Sequence, residues 1–246
     1  MRKLVFCVVI STFVFCSSSM AKEYVVGVEN LDYLPYYSGV NNEYSGFAKD
    51  LLDAFAVKKG ITFKYKVMPV RRLFKALVDQ SVDFKFPDNP YWQGDMKKGK
   101  NVVYSDAVVK TIDGIMVLPA RKGMGLKKLK KIGTVMGFTP WEFKGDIDKG
   151  IIKLSENSNF SGLLTQVIKK RIDGAYINPV VAGYQLEKIN KKEQLIFDNG
   201  LPFAKNDYLL STVKQKEIID AFNLFLKENK SMVDELKAKY SITEAY

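Results

Sequence analysis

Hydrophobic positions in the first third of the chain switch between strand spacing and helix spacing. Residues 61–67 alternate strictly between apolar and polar, which predicts a half-buried strand. Before them, residues 47–56 carry apolar side chains at helical spacing, and Gly60 ends that helix. Residues 24–28 are apolar and β-prone. The pattern predicts a buried strand, a helix and a second strand in succession.

The same alternation continues to residue 86. Pro69 opens a second helix with one apolar stripe, and residues 82–86 alternate again. The resulting β-α-β-α-β order predicts a mainly parallel sheet with right-handed crossovers. Residues 87–100 then break the pattern with two prolines, two glycines, Tyr91 and Trp92. A loop of this length with two large aromatic side chains indicates function.

A second α/β series follows the long β-prone run 108–118. Its pattern predicts strands at 132–135, 151–154, 175–177 and 208–213, a short helix at 139–143, and helices over 160–168, 180–189, 218–226 and 233–240. No glycine- or serine-rich linker separates the two series, so we expect two α/β lobes joined by strands. Because open parallel sheets bind ligands at the carboxyl ends of their strands, two facing edges would form a cleft with a hinge behind it.

The first 21 residues have the three-part pattern of a secretory signal. Arg2 and Lys3 precede an apolar run over 4–15, and small residues end the segment at Ala21. A lipoprotein would use Cys16, but the bulky Phe15 precedes it. We therefore expect cleavage after Ala21 and a periplasmic product, since no later stretch approaches the roughly 20 apolar residues of a membrane span.

Composition removes several classes of chemistry. The 246 residues contain no histidine, and the two cysteines, Cys7 and Cys16, both lie in the signal segment. This excludes nucleophiles activated by histidine, thiolate catalysis and cysteine-based metal sites, and we expect no cofactor and no metal. Without Arg2 and Lys3, the 38 basic residues become 36 against 27 acidic ones, a net charge of +9. We expect these lysines to be solvated and no nucleic acid to be a partner.

Six short motifs resemble family 3 periplasmic solute-binding proteins, the amino-acid type that serves ABC transporters. Residues 46–51 (GFAKDL) match the family's Gly-Phe-x-x-Asp-Leu signature, and residues 33–36 match its aromatic-x-Pro-aromatic loop. Further matches in family order are 82–83, 103–105, 137–139 and 171–175. The resemblance implies an α/β, two-lobed periplasmic-binding-protein fold (type II), with residues 22–109 plus 207–246 in the first lobe and 110–206 in the second.

It also implies a small-molecule ligand, a monomer, and an ABC permease or a membrane receptor as partner. The family's carboxylate-binding arginine corresponds to Lys98, its threonine to Thr139, and its ammonium-binding aspartate to Asn178. Lysine lacks the two-pronged fork of arginine, and asparagine offers an ammonium only a neutral carbonyl. We therefore expect a small anionic or polar ligand without an α-ammonium group, although Asp88 could replace the missing carboxylate.

Other candidate ligand contacts come from the loops around the expected cleft. Tyr33 and Tyr36 could stack on a ligand, and Arg72 begins the second helix at a strand's carboxyl end. The loop at 87–100 adds Asp88, Asn89 and Trp92. Outside this set, we expect Arg71 to be solvated, Trp141 to pack within the second lobe, and Asp50 and Asp173 to be structural.

Two other functions remain open. The chain could be a dehydratase-like enzyme on the same fold, with Asp88 or Asp95 as its acid or base. It could also be a ligand sensor for a membrane signalling partner. A buried carboxyl with a raised pKa in the cleft would favour the enzyme, whereas a cleft ringed by aromatic side chains with one cation would favour the binding protein.

Overall fold

The structure, a computed structural model, describes residues 21–244. The predicted signal peptide falls outside these residues except for Ala21. Across residues 21–244, no helix has both the length and the apolar character needed to cross a membrane.

The first lobe begins with the predicted β-α-β-α-β unit. Its elements are β1 (Lys22–Glu29), the short hairpin β2 (Asp32–Tyr33) and β3 (Tyr37–Ser38), α1 (Phe47–Lys59), β4 (Ile61–Met68), α2 (Val70–Val78) and β5 (Phe84–Asp88). Strand β1 lies between β4 and β5 and is parallel to both. Helix α1 ends at Gly60, whose φ of 70° is the left-handed conformation that glycine adopts without strain.

The loop at 87–100 contains a short helix that the sequence did not predict. Helix α3 (Gly94–Lys97) is followed by β6 (Val103–Tyr104) and by the long strand β7 (Val109–Val117). The prediction of a strand over 108–118 is thereby confirmed.

The second lobe has the same layered construction. It contains β8 (Lys131–Val135), α4 (Lys144–Asp148), β9 (Lys153–Asn157), α5 (Phe160–Ile168), β10 (Gly174–Ile177), α6 (Pro179–Lys188) and β11 (Ile196–Phe197). The strand order is β7-β10-β8-β9. The predicted strand 151–154 was placed too early, because Ile151 and Ile152 belong to the turn before β9. The predicted helix 139–143 is a 3₁₀ turn over Trp141–Phe143 that leads into α4.

Two antiparallel strands join the lobes. Strand β12 (Ala204–Thr212) precedes α7 (Lys216–Glu228) and α8 (Lys230–Lys239), which pack on the first lobe. Residues 204–208 of β12 pair with β7, whereas its later residues pair with β5 and β6. The lobe boundaries expected at 109/110 and 206/207 fall at or within these two strands.

Burial of Lys85 departs from the sequence pattern. The alternation of Val82, Phe84 and Phe86 predicts an outward-facing lysine at 85, but every residue of β5 is buried. The reason is that β5 is an interior strand, between β1 and β12, and α2 packs on the face of the sheet that carries Lys85, where Lys85 Nζ lies 4.2 Å from the centre of the Phe74 ring. Lys85 is therefore held in the interior of the first lobe, beneath the cleft.

Candidate functional site

A cavity of about 300 Å³ lies between the lobes, where the carboxyl ends of β1 and β8 face each other. Its volume is at the small end of the range for small-molecule sites, roughly 300–1,000 Å³. Half of its lining residues are aromatic: Tyr33, Tyr37, Phe74, Tyr91, Trp92, Phe138, Trp141, Tyr176, Phe203 and Tyr208. Both lobes and strand β12 contribute to this aromatic wall, and β7 contributes Asp113 to the lining.

The charged side chains of the lining are mainly acidic. Three carboxylates, Glu29, Asp113 and Glu142, line the cavity, against one basic side chain, Lys205. Lys205 lies on β12 and is exposed. A cavity with this composition presents aromatic faces and carboxylate oxygens to a ligand, both of which attract cations.

Tyr33 is the centre of the aromatic wall. Its ring stacks on Tyr37 with centroids 5.1 Å apart, and it lies 5.9 Å from Phe138 and 5.3 Å from Phe160 of the second lobe. Tyr208 donates a hydrogen bond to the Tyr33 hydroxyl over 3.2 Å. The β2–β3 hairpin that carries Tyr33 is therefore packed against both lobes.

Asp113 lies in the middle of β7, at the back of the cavity. Tyr33 donates to its Oδ1 over 3.2 Å, and Asn206 Nδ2 donates to its Oδ2 over 2.6 Å. Burial raises the pKa of Asp113 to about 6, although these two hydrogen bonds oppose the rise. The carboxyl thus changes its charge within the range of ordinary buffers.

A buried charge network underlies the first-lobe side of the cavity. Lys85 Nζ lies 3.7 Å from Glu29 Oε1 and 4.0 Å from Asp88 Oδ1, and Lys97 Nζ donates to Asp88 Oδ1 over 3.1 Å. Burial raises the pKa of Glu29 and lowers that of Lys97. The two buried ammonium groups are already matched by two carboxylates of the chain itself.

Three of the nine predicted ligand contacts line the cavity. They are Tyr33, Trp92 and Thr139. Thr139 comes two residues before the 3₁₀ turn at Trp141, so the helix start that would form an anion cradle is only a three-residue turn. Trp141 was expected to pack within the second lobe, but its side chain is 48% exposed and lines the cavity.

Tyr36 and Asn178 contact each other and lie outside the cavity lining. Asn178 caps α6 by accepting hydrogen bonds from Val180 N over 2.8 Å and Val181 N over 3.3 Å. Tyr36 is hydrogen-bonded to the Asn178 side chain, and burial raises the pKa of Tyr36 to about 12. Asn178 thus has structural partners in both lobes.

The other four predicted contacts are not in the lining. Asp88 is fully buried in the charge network and also accepts from Ser211 Oγ over 2.7 Å. Asn89 donates to the carbonyl of Asp207 over 3.0 Å. Arg72 and Lys98 are exposed, whereas the neighbouring Lys97 is turned inward. Asp95, the other loop carboxylate, is exposed on α3 and does not line the cavity.

Polar contacts also close the lobes on one side of the cavity. Gln185 Nε2 donates to the carbonyl of Asp32 over 2.7 Å, and Lys188 Nζ lies 2.6 Å from Asp32 Oδ2. Arg71 is exposed, as expected, and its guanidinium lies 3.9 Å from Glu156 across the lobes. Asp50 and Asp173 are structural, as expected: Asp50 accepts from Tyr240, and Asp173 from two backbone N–H groups.

Two carboxylates of the cavity could have been found from the sequence. Glu29 directly follows a predicted strand, which places it at a carboxyl end. Asp113 is the one carboxylate in the apolar run 108–118. Glu142 carries no comparable signal. Among residues 21–244, no cluster of three or more acidic side chains has the arrangement of a metal site.

No family model matches the sequence, and no curated protein sequence matches it. Solved structures do match. An ancestral arginine-binding protein bound to arginine is 22% identical, with a TM-score of 0.72, covering 90% of this chain and 99% of that one. The arginine-, lysine-, histidine-binding protein ArtJ from Geobacillus stearothermophilus is 20% identical, with a TM-score of 0.70 and coverages of 91% and 96%.

A third match is a histidine kinase sensor domain similar to periplasmic binding proteins. It is 18% identical, with a TM-score of 0.74, covering 90% of this chain and 96% of that one. The chain therefore has the two-lobed fold of periplasmic amino-acid-binding proteins, which the sequence motifs predicted. At these identities the likeness defines the fold, and the site has to be interpreted from its own residues.

Proposed function

We propose that the chain is a periplasmic solute-binding protein that encloses a small organic cation between its lobes. The fold and the N-terminal signal pattern support export and ligand capture. The observation that carries the ligand class is the lining of the cavity, with ten aromatic side chains, three carboxylates and a single exposed lysine.

This ligand class replaces the anion expected from Lys98 and Thr139. Lys98 is exposed outside the lining, and the buried Lys85 and Lys97 are paired with Glu29 and Asp88. An anion in the cavity would meet carboxylates and the faces of aromatic rings without a buried cation to balance it, which is unfavourable in a desolvated site. An ammonium or guanidinium group would instead gain cation–π contacts and an ionised carboxylate.

We also propose that a membrane protein recognises the ligand-bound form. An ABC permease is the partner that the family resemblance implies. A signalling receptor is the alternative, and the similarity to a histidine kinase sensor domain supports it. The genes that neighbour this one would separate the two, since a transporter operon supplies a permease and an ATPase.

The experiment is a thermal-shift series with three ligands of similar size. Phenethylamine carries a cation, 3-phenylpropionate an anion, and 2-phenylethanol no charge. We expect the amine to raise the melting temperature most, by mass action on the folded state. Arginine, lysine and glutamine would be measured beside them. Stabilisation by the carboxylate and not by the amine would disprove the cation assignment.

A pair of variants locates the binding. Asp113→Asn keeps the size of the side chain but removes the charge, so we expect it to weaken amine binding about tenfold or more. Asp198→Asn is the matched control, because Asp198 is a buried carboxylate of the second lobe outside the cavity lining. Equal losses in both variants would show that Asp113 acts through stability alone.

An enzymatic function remains the second candidate, and Asp113 is the observation that favours it. Its carboxyl lies in the cleft with a pKa raised to about 6, the condition expected of a general acid or base. Both of its oxygens already accept hydrogen bonds, which favours a structural or binding role. Turnover of a cyclic carboxylic acid that disappears in Asp113→Asn would establish the enzyme.

A further inference from the structure

Three basic segments converge at the edge of the second lobe that lies opposite the cavity. They are residues 121–131, 149–153 and 169–173, which lead into β8, β9 and β10. Lys153 N donates to the carbonyl of Lys130 over 2.8 Å, and Asp173 N donates to that of Lys131 over 2.7 Å. These bonds fix the three segments side by side. We refer to them together as the basic edge.

The basic edge has almost no compensating acid. Its segments contribute six, two and three basic residues, and nine of these eleven are lysines. Their one acidic residue, Asp173, forms an ion pair with Arg121 over 3.1 Å. Within residues 21–244, the other ten basic side chains are exposed and form no ion pair.

In helices outside the basic edge, lysines form ion pairs with acidic side chains. Lys75, Lys216 and Lys230 each pair with an aspartate one helical turn further along the chain. The net positive charge of the chain is therefore concentrated on one edge of one lobe. The lysines of this edge are solvated, as expected from the sequence, but they are clustered in the turns before three strands.

Exposed apolar side chains lie among the lysines. Met124 is 54% exposed, Leu126 38% and Ile151 52%. Met124 stands between Gly123 and Gly125, whose φ angles of 75° and 80° are left-handed. The loop 121–128 thus presents an apolar tip flanked by lysines, whereas Leu129 and Ile152 anchor the segments in the lobe.

We propose that the basic edge docks on an anionic phospholipid surface, with Met124, Leu126 and Ile151 entering the headgroup region. Apolar side chains surrounded by lysines are the combination that adsorbs to such a surface, where each lysine is attracted by the negative potential. Membrane lipid suits this edge better than a protein partner because the charge is spread over exposed lysines of three segments, with exposed apolar side chains among them. Docking by this edge leaves the cavity on the opposite side open to ligand.

The test is flotation of the purified protein with two kinds of vesicle, one of phosphatidylcholine alone and one of phosphatidylcholine with phosphatidylglycerol. We expect binding to the second kind only, and its loss at high salt. Replacing Lys127, Lys128, Lys169 and Lys170 by glutamate should weaken binding by about a hundredfold or more. Met124→Ser combined with Leu126→Ser should weaken it with no change in charge.

The matched control carries the same change of charge elsewhere: Lys58, Lys59, Lys66 and Lys227, all exposed outside the basic edge, replaced by glutamate. It should retain most of the binding. Every variant keeps the same N-terminal segment, so adsorption through that segment would be equal in all of them. Equal binding to both kinds of vesicle, or equal losses in variant and control, would overturn the proposal. Displacement from vesicles by an equimolar acidic polypeptide would assign the edge to a protein partner.

Discussion

The Tyr33 hydroxyl donates a hydrogen bond to Asp113 Oδ1 across 3.2 Å, which connects a hairpin of the first lobe to a strand that joins the lobes. Both residues are buried and both line the cavity. This one contact therefore links the closure of the lobes, the charge at the back of the cavity and the position of the aromatic wall.

Removing that hydroxyl should destabilise the protein. Tyr33→Phe leaves Asp113 with one donor fewer and deprives Tyr208 of its acceptor, so we expect a loss of about 1–3 kcal/mol in the free energy of unfolding. The measurement is urea denaturation, and Tyr91→Phe is the control because Tyr91 is 82% exposed. Equal stability of the two variants would mean that the bond contributes nothing.

Stability should depend on pH through Asp113. Burial raises the pKa of Asp113 from the usual 3.8 of an aspartate to about 6 in the folded protein, so the folded state binds the proton more tightly. The wild type should therefore lose stability, relative to Asp113→Asn, as the pH rises from about 4 to about 6. The difference between the two unfolding curves should change by of order 2–3 kcal/mol over that window. A constant difference would show that Asp113 has an ordinary pKa.

Asn178 is predicted to act as a helix cap and not as a ligand contact. Asn178→Ala should cost about 1 kcal/mol, because the N–H groups of Val180 and Val181 lose their acceptor. Asn178→Asp should retain the cap and should not confer binding of arginine or glutamine, since its oxygens face the helix. Unfolding curves and thermal shifts with these amino acids measure both effects. If Asn178→Asp gained binding of arginine or glutamine, the prediction would be wrong and residue 178 would be a ligand contact.

Substitution of Lys97, the last residue of α3, and of Lys98, which follows it, should have different effects on stability. Lys97→Met removes a buried partner of Asp88 and should cost about 3 kcal/mol or more. Lys98→Met replaces an exposed side chain outside the cavity and should change stability by no more than about 0.5 kcal/mol, with ligand binding unchanged. Loss of ligand binding in Lys98→Met with full stability would restore the anion hypothesis.

Sequence periodicity predicted the fold because most elements carry a strong local pattern. Helix α1 and strand β4, for example, follow from apolar spacing and from Gly60 alone. The first half of β12 was not predicted, since residues 204–207 are polar apart from Ala204 and become a strand only by pairing with β7. Burial of Lys85 could not be seen either, because it depends on the position of β5 within the sheet.

The site was predicted less well than the fold, for a related reason. Tyr33, Trp92 and Thr139 were found through loop motifs, which sequence reveals. Lys98 was chosen over Lys97 by spacing, although the turn of one short helix decides which of two adjacent lysines points inward. Asp113 was missed because ligand contacts were expected in the loops at the strand ends, whereas this carboxylate lies in the middle of β7.

On the ribbon formed by β7 and β12, Asp113 pairs with Ala204 and Asn206 pairs with Thr111, so Asp113 and Asn206 lie diagonally across from each other and are joined by a hydrogen bond. The same ribbon connects the two lobes. Recognition and motion consequently share one stretch of backbone. A ligand that touches these side chains acts directly on the element that must flex for it to enter or leave. Ligand selectivity and the rate of ligand exchange should therefore evolve together in this protein. A substitution on this ribbon that changes one of them will also change the other.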